Sequence, residues 1–423
     1  CLDAFIVVLS QACEGGEKRW YTSTLELQRT SLEFCRACRS IPTLHVRVGD
    51  LSPRSLWRAQ KAQTGPPNAH KSEVSLPSRV PAVRALCLTW ELSMEALPQR
   101  FTIQRFASLE FLQLSRRSLA PGSLRAMVWP QGLKKLVLDV PAETSVEAVS
   151  WPPSLQSLTL GGVFNQPITQ VAWPAFLQHV SFGRCFNQPV AEVNWPPSLE
   201  YIDFGRNFNQ PTAGVMWPAS CKQLHFGRDF NQLIALVAWP ASLKNILFGD
   251  CFNQPIAEVV WPERLQELSF GFSFDQPTVG VTWPASLHQL TFGYYFNHPI
   301  VGVAWPASLE QLIFGCCFDR PIDGVVWPSC LRRLSFGDNF CQPIVGVVWP
   351  PSLEQLSFGA FFNRPLAGVA WPGSLQRLSF GFQFNHPIAG VEWPNSLQHL
   401  SFGFKFNQHI VNVAWPASLQ QLS

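Results

Sequence analysis

The sequence predicts a mainly β protein: a leucine-rich-repeat-like solenoid of 22-residue coils, with one continuous parallel β-sheet and extended or polyproline-like return segments. Three observations predict it. Trp-Pro recurs fourteen times from Trp129 to Trp415, always 22 residues apart, so each unit is one equivalent coil of a stack. Within each coil a short stretch alternates apolar and polar residues, the period-two signature of a strand. The chain also holds 36 Pro, two of them at fixed places in a typical coil, and these exclude helix from the return leg.

The unit 305–326, WPASLEQLIFGCCFDRPIDGVV, sets out the pattern. Leu309, Leu312, Phe314, Phe318, Ile322 and Val325 are the core positions, and Leu312 and Phe314 alternate with Gln311 and Ile313. Gly ends the strand in all twelve complete units, from Gly161 to Gly403, which predicts a backbone turn that a side chain would obstruct. Phe follows three residues later, from Phe164 to Phe406. Next comes a column of Asn165, Asn187, Asn209, Asn231, Asn253, Asn297, Asn363, Asn385 and Asn407, interrupted by Asp275, Asp319 and Cys341. Stacked Asn side chains are expected to form a hydrogen-bonded ladder that satisfies backbone groups lacking a sheet partner. Trp, flanked by Val and Pro at a fixed phase, is expected in the core and not as a ligand-stacking row; Trp305→Ala should cost about 3–5 kcal/mol.

The blocks PASLEQL, FG, F(N/D) and PI, clearest in 283–300 and 349–366, are similar to the FNIP repeat, a relative of the leucine-rich repeat. The resemblance covers residues 151–423, with Trp-Pro standing where the usual motif has Leu-Pro. It implies a repeat scaffold, in some members joined to a module such as an F-box; residues 1–80 show no F-box.

Three regions follow. Residues 151–423 form the array of twelve complete units and a partial one, and 81–150 hold degenerate repeats, marked by Leu86 and Leu88, Leu109, Leu112 and Leu114, then Leu133, Leu136 and Leu138. Residues 1–80 are an irregular capping region, with a further strand at Leu44, Val46 and Val48, a short helix over 53–62 and a polar loop at 64–72. The chain stops at Ser423 in mid-strand, and such an uncapped edge is expected to invite association.

Composition narrows the function classes. Residues 1–128 carry 17 Lys/Arg against 10 Asp/Glu, or +7, and the remainder 14 against 18, or −4. That is no dense positive track, so nucleic acid is set aside. No apolar run reaches the roughly 20 residues of a membrane span. The twelve Cys show no regular pairing and read as reduced, buried small hydrophobes, while Cys35 and Cys38 form a single CxxC, too little for a zinc site. No phosphate-binding glycine loop or cofactor motif occurs, so no cofactor is expected.

Function is then expected in the outward, variable positions. Tyr201, Asp203, Arg206, His225 and Arg228, with Arg184 one coil earlier, form a polar and partly basic patch suited to a carboxylate or phosphate partner. The bland reading is a solvated face with local ion pairs such as Arg228 with Asp229. Phe272, Tyr294, Tyr295, Phe361, Phe382 and Phe404 form an aromatic patch, an interface unless they fold over the turn as extra core. Ser335, Ser357, Ser379 and Ser401 are a small-residue column suited to close packing. Asp203 and His225, one rung apart, are the single plausible orienter and base, but no nucleophile stands beside them. The expectation is therefore a non-enzymatic, cytoplasmic scaffold for a protein partner. The alternative is a secreted or surface recognition protein for peptide or carbohydrate, with oxidised cysteines and Ala4–Leu9 as the remnant of a signal peptide.

Overall fold

The computed structural model describes residues 109–114 and 124–423 in full, together with the backbone of Ser123 and of three earlier strands. The expected helix over 53–62, the 64–72 loop and the Cys35/Cys38 pair lie outside the described residues. Two compact units divide the chain, 1–185 and 186–423.

In the first unit the strands are β1 (Val8–Leu9), β2 (Leu44–Val48), β3 (Ala85–Trp90), β4 (Phe111–Leu114), β5 (Lys135–Leu138), β6 (Ser157–Leu160) and β7 (His179–Phe182). β2 to β7 pair in parallel, each with the next. β1 pairs with β2 antiparallel, so the expected all-parallel sheet is corrected at that strand.

The second unit carries the regular rungs β8 (Tyr201–Asp203), β9 (Gln223–His225), β10 (Asn245–Leu247), β11 (Glu267–Ser269), β12 (Gln289–Thr291), β13 (Gln311–Ile313), β14 (Arg333–Ser335), β15 (Gln355–Ser357), β16 (Arg377–Ser379), β17 (His399–Ser401) and β18 (Gln421–Leu422). All pair in parallel at a register of 22 with Leu, or Ile at Ile202 and Ile246, stacked on its counterpart: Leu290 meets Leu312, and Leu312 meets Leu334. The second unit is thus a parallel β-solenoid of 22-residue coils, and the first reaches that spacing only from β5 onwards: Leu44 meets Leu86, Leu86 meets Leu112 and Leu112 meets Leu136 before Leu136 meets Leu158. Rungs β8 to β17 are three residues long, each followed two residues on by the strand-ending Gly, and carry one inward and two outward side chains.

Aromatic rings fill the second unit's core. Phe296 is fully buried, 4.0 Å from Phe292 in its own coil and 6.2 and 6.0 Å from Phe274 and Phe318 in the adjacent coils. Trp forms a parallel column: Trp261, Trp283 and Trp305 stack at 6.4 and 6.3 Å. Trp283 is buried whereas Trp305 is half-buried, so the column borders the core instead of lying wholly inside it. The indole N–H groups of Trp261, Trp283 and Trp305 are buried without a hydrogen-bond partner, so stacking and apolar contact hold this column.

Polar ladders hold the coils together outside the sheet. The Asn209 N–H donates to Asn187 Oδ1 at 2.9 Å, and Asn231 repeats the bond onto Asn209 at 2.9 Å. Asp275 and Asp319 serve equally, accepting from the N–H groups of Asn297 and Cys341 at 2.9 and 3.0 Å. A thiol accepts poorly, and among the described residues the step from Asn363 to Cys341 lacks this bond. Two further ladders run beside it. Gln232 Nε2 donates to Asn209 Oδ1 at 2.9 Å, and Gln254 does the same to Asn231 at 2.9 Å. Ser308 Oγ donates to the Leu287 carbonyl at 2.7 Å, a bond repeated by Ser352, Ser374 and Ser396 on Leu331, Leu353 and Leu375.

The strand-ending Gly is required for a different reason from the one its position suggests. A Cβ on Gly293 would lie 1.6 Å from the Gly271 carbonyl oxygen, and one on Gly315 would lie 1.7 Å from that of Gly293. From Gly227 to Gly403 the obstruction is the preceding coil and not the local turn. Gly205 is the left-handed member of this column, with φ of 73°, and the other left-handed turns belong mainly to a second column, among them Gly280, Gly302 and Gly346, each with φ of 84°.

Of the described cysteines only Cys221 is buried; Cys251 and Cys330 are exposed and Cys185, Cys316, Cys317 and Cys341 intermediate, because most occupy turn or return positions that face outwards. Thr212 and Thr278 stand at the buried Ile position, and their hydroxyls have no partner. An unpaired buried hydroxyl costs about 1–3 kcal/mol, so Thr278→Val should stabilise the array by about 1 kcal/mol in urea denaturation. No change in midpoint would mean that the hydroxyl is satisfied in solution.

Candidate functional site

The outward positions of β8 to β12 build the most structured polar site. Period two sends Ile202 and Leu224 into the core and Tyr201, Asp203 and His225 outwards. Register places Asp203 opposite His225. Tyr201 reaches diagonally across the rung: its Oη lies 3.0 Å from His225 Nδ1, with the rings edge to face at 4.9 Å. Asp203 Oδ1 accepts the Gly205 N–H at 2.9 Å, which fixes the carboxylate at the start of the turn. Beside this cluster the sheet face forms a shallow depression of about 290 Å³, lined by Gln223, His225, Asn245, Leu247, Glu267 and Ser269 among others. Asn245 Nδ2 donates to Glu267 Oε2 on its border.

Burial pushes the His225 pKa down, against the opposing charge of Asp203, and burial together with that same charge pushes the Tyr201 pKa up. A neutral imidazole accepting the phenol proton at Nδ1 fits both directions. With its folded pKa below the unfolded value, His225 leaves the unfolded chain holding more protons at mildly acid pH. Its contribution is therefore complete above about pH 6.5 and declines as pH falls towards the folded pKa. His225→Gln should remove that part of the acid-side loss, read from urea midpoints at neutral and mildly acid pH; an unchanged slope would assign the loss to other groups.

Arg206 and Arg228 follow on the turn rim of the second unit, while Arg184 belongs to the first unit. Arg228 pairs with Asp250, Nε to Oδ2 at 3.4 Å, and not with Asp229. Both side chains are more than half exposed, so the pair is worth about 0–1 kcal/mol and leaves the arginine available to a partner.

The aromatic residues stay outside the core. Phe272, Tyr294 and Tyr295 are 44%, 40% and 49% exposed. They form one cluster: Phe272 stacks on Tyr294 at 4.5 Å, and Tyr295 stands edge-on to both at 5.0 and 5.1 Å. Phe382 and Phe404 stack at 5.3 Å as a second pair, with Lys405 Nζ 5.6 Å above the Phe382 ring. Phe361 is exposed and, among the described residues, joins neither cluster. Repetition fixes this: the two positions after the strand-ending Gly lie outside the core, so rings placed there meet each other within the coil and their counterparts one coil away.

Sequence reasoning missed three features. The Ser and Gln ladders were legible as columns at fixed phase but were not read as bonds. Leu247, exposed in the floor of the depression, stands at an outward strand position that most coils fill with a small polar residue. Leu233 and Leu236, exposed on the return leg, break the consensus Pro and Gly. Among the described residues no helix is long and apolar enough to cross a membrane.

Parallel three-residue rungs, one return leg for every 22 residues and an open strand face define a leucine-rich-repeat-like solenoid, a fold typical of non-enzymatic interaction proteins. The FNIP Repeat model matches at 164–207, 186–229, 230–273, 274–317, 318–361, 362–405 and 384–423. The chain belongs to the FNIP repeat family. No curated protein matches it. Among solved structures it is similar to CroV588, described as a novel circular leucine-rich-repeat protein structure, with 34% identity and a TM-score of 0.62 over 81% of this chain. The chain spans 56% of that protein's length. An internalin, InlF, of Listeria monocytogenes is also matched, at 11% identity and a TM-score of 0.36, over 92% of this chain and 88% of that one.

Proposed function

We propose that this chain is a non-catalytic scaffold that holds a protein partner against the strand face and turn rim of its second unit. The observation that carries the reading is the contrast between columns. Core and ladder positions repeat from coil to coil, whereas the outward strand and rim positions change and gather into the Tyr201–His225 site and the Phe272–Tyr294–Tyr295 cluster. Rigid, half-exposed aromatic side chains beside paired charges are what protein hot spots are made of. Asp203 and His225 act in this reading as recognition groups, oriented by Gly205 and Tyr201.

Affinity capture followed by mass spectrometry tests it, with wild type beside the Arg206→Ala, His225→Ala, Tyr294→Ala variant. A partner held by the wild type and lost by the folded variant is the expected result. The same partners on both chains would remove the strand face from consideration. We also propose a cytoplasmic setting, in which denatured native protein titrates all twelve cysteines as thiols. Loss of thiols in pairs would favour the secreted alternative.

A further inference from the structure

We infer that the return face of the coils around Trp217, Trp239 and Trp261 is a second docking surface, shaped for an amphipathic α-helix with basic flanks. On each return leg the residue two before Trp points into the core and its neighbours on either side point out: Val237 is buried, while Leu236 is 84% exposed. Met216, at 79%, and Val260, at 81%, stand in the outward position just before Trp in the adjacent coils. Leu233, 67% exposed, replaces the usual Pro, and Leu236 replaces the Gly found at 214 and 280.

Nothing within the coil calls for these two leucines. Around them Ile234 and Val237 fill the core, and the Asn231 and Gln232 ladder bonds are intact. Four large apolar side chains at such exposure, on three successive coils, mark an interface more readily than scattered single ones do.

Spacing and charge select the occupant. Trp239 and Trp261 are 6.5 Å apart, and side chains four apart on an α-helix rise by about 6 Å. A helix lying along the stack therefore sets one apolar residue against each coil. The return legs 187–199, 209–221, 231–243 and 253–265 contain Glu192, Glu258 and Glu263 against a single basic residue, Arg264, and are net acidic. Glu192 and Glu258 are exposed, in the same outward column as Leu236. A second copy docked through this patch about a two-fold axis would oppose these carboxylates to themselves, and an anionic lipid surface would be repelled by them. A helix with Lys or Arg beside its apolar stripe satisfies both the patch and its borders.

The test is fluorescence anisotropy of a labelled helical peptide of Leu and Lys, with Leu at i, i+3, i+4 and i+7, titrated with the full chain. The comparison is Leu233→Pro with Leu236→Gly, which restores residues that other coils carry. Leu236→Gln is the second variant, since Gln170 holds that column in another coil. Binding by wild type, weakened about tenfold or more in both variants, lost when Glu replaces Lys in the peptide and unchanged in the Arg206/His225/Tyr294 variant, is the expected result. Equal binding by folded variants overturns the inference, as does no binding by wild type. It is equally overturned if the substitutions abolish a dimer seen by light scattering, or co-sedimentation with phosphatidylserine vesicles, in place of peptide binding.

Discussion

Gly293→Ala is expected to destabilise the array by more than about 4 kcal/mol, the range of exceptional single substitutions. Its Cβ would fall 1.6 Å from the Gly271 carbonyl oxygen and 2.7 Å from the Gly271 carbonyl carbon, both backbone atoms. Neither can give way without separating two coils that rungs β11 and β12 hold in register. Two other glycines separate this cause from backbone conformation. Gly302 has open space around it but φ of 84°, so Gly302→Ala carries only the left-handed cost of about 1–2 kcal/mol. Gly373 has open space and no positive φ, so Gly373→Ala should lie within about 0.5 kcal/mol of wild type or above it. Urea denaturation followed by tryptophan fluorescence and circular dichroism reads all three. A Gly293→Ala chain as stable as Gly302→Ala would show that the coils can part at this column.

Phe296→Ala should cost about 4 kcal/mol and separate the transition of the coils on either side of it. The ring is fully buried, and removing it leaves a gap facing Phe274, Phe292, Phe314 and Phe318. Inter-coil coupling in a solenoid runs only through nearest neighbours, so a gap in one column loosens two interfaces at once. Trp305→Ala, which the sequence alone places at about 3–5 kcal/mol, is now expected at about 3 kcal/mol, the lower end. Trp305 stands at the border of the core, and its N–H has no partner whose loss would add to the cost. A larger loss for Trp305 than for Phe296 would make the Trp column, and not the Phe column, the main coupling between coils.

These expectations rest on how differently the two kinds of information bear on the molecule. The uninterrupted Trp-Pro period is enough to define the solenoid, its parallel rungs and the Leu-on-Leu register, because a constant 22-residue spacing leaves every coil in the same environment. Hydrophobic phase is a local property of the chain, so Leu290, Phe292 and Phe296 were legible as core and Tyr294 as outward before any coordinates. Contacts between columns are not local. Whether Arg228 meets Asp229 or Asp250, or Tyr201 meets His225, depends on the reach and direction of side chains across residues 22 or 24 apart, which spacing does not encode. The same holds for the glycines: their regularity is visible in the sequence, but its cause is the carbonyl oxygen of another coil. The sequence by itself determined the repeat, its phase and which columns vary. Only the tertiary structure decided which variable side chains meet, which cysteines face solvent and where the apolar patch at Leu233 and Leu236 lies, because those depend on packing between coils and not on the period within one.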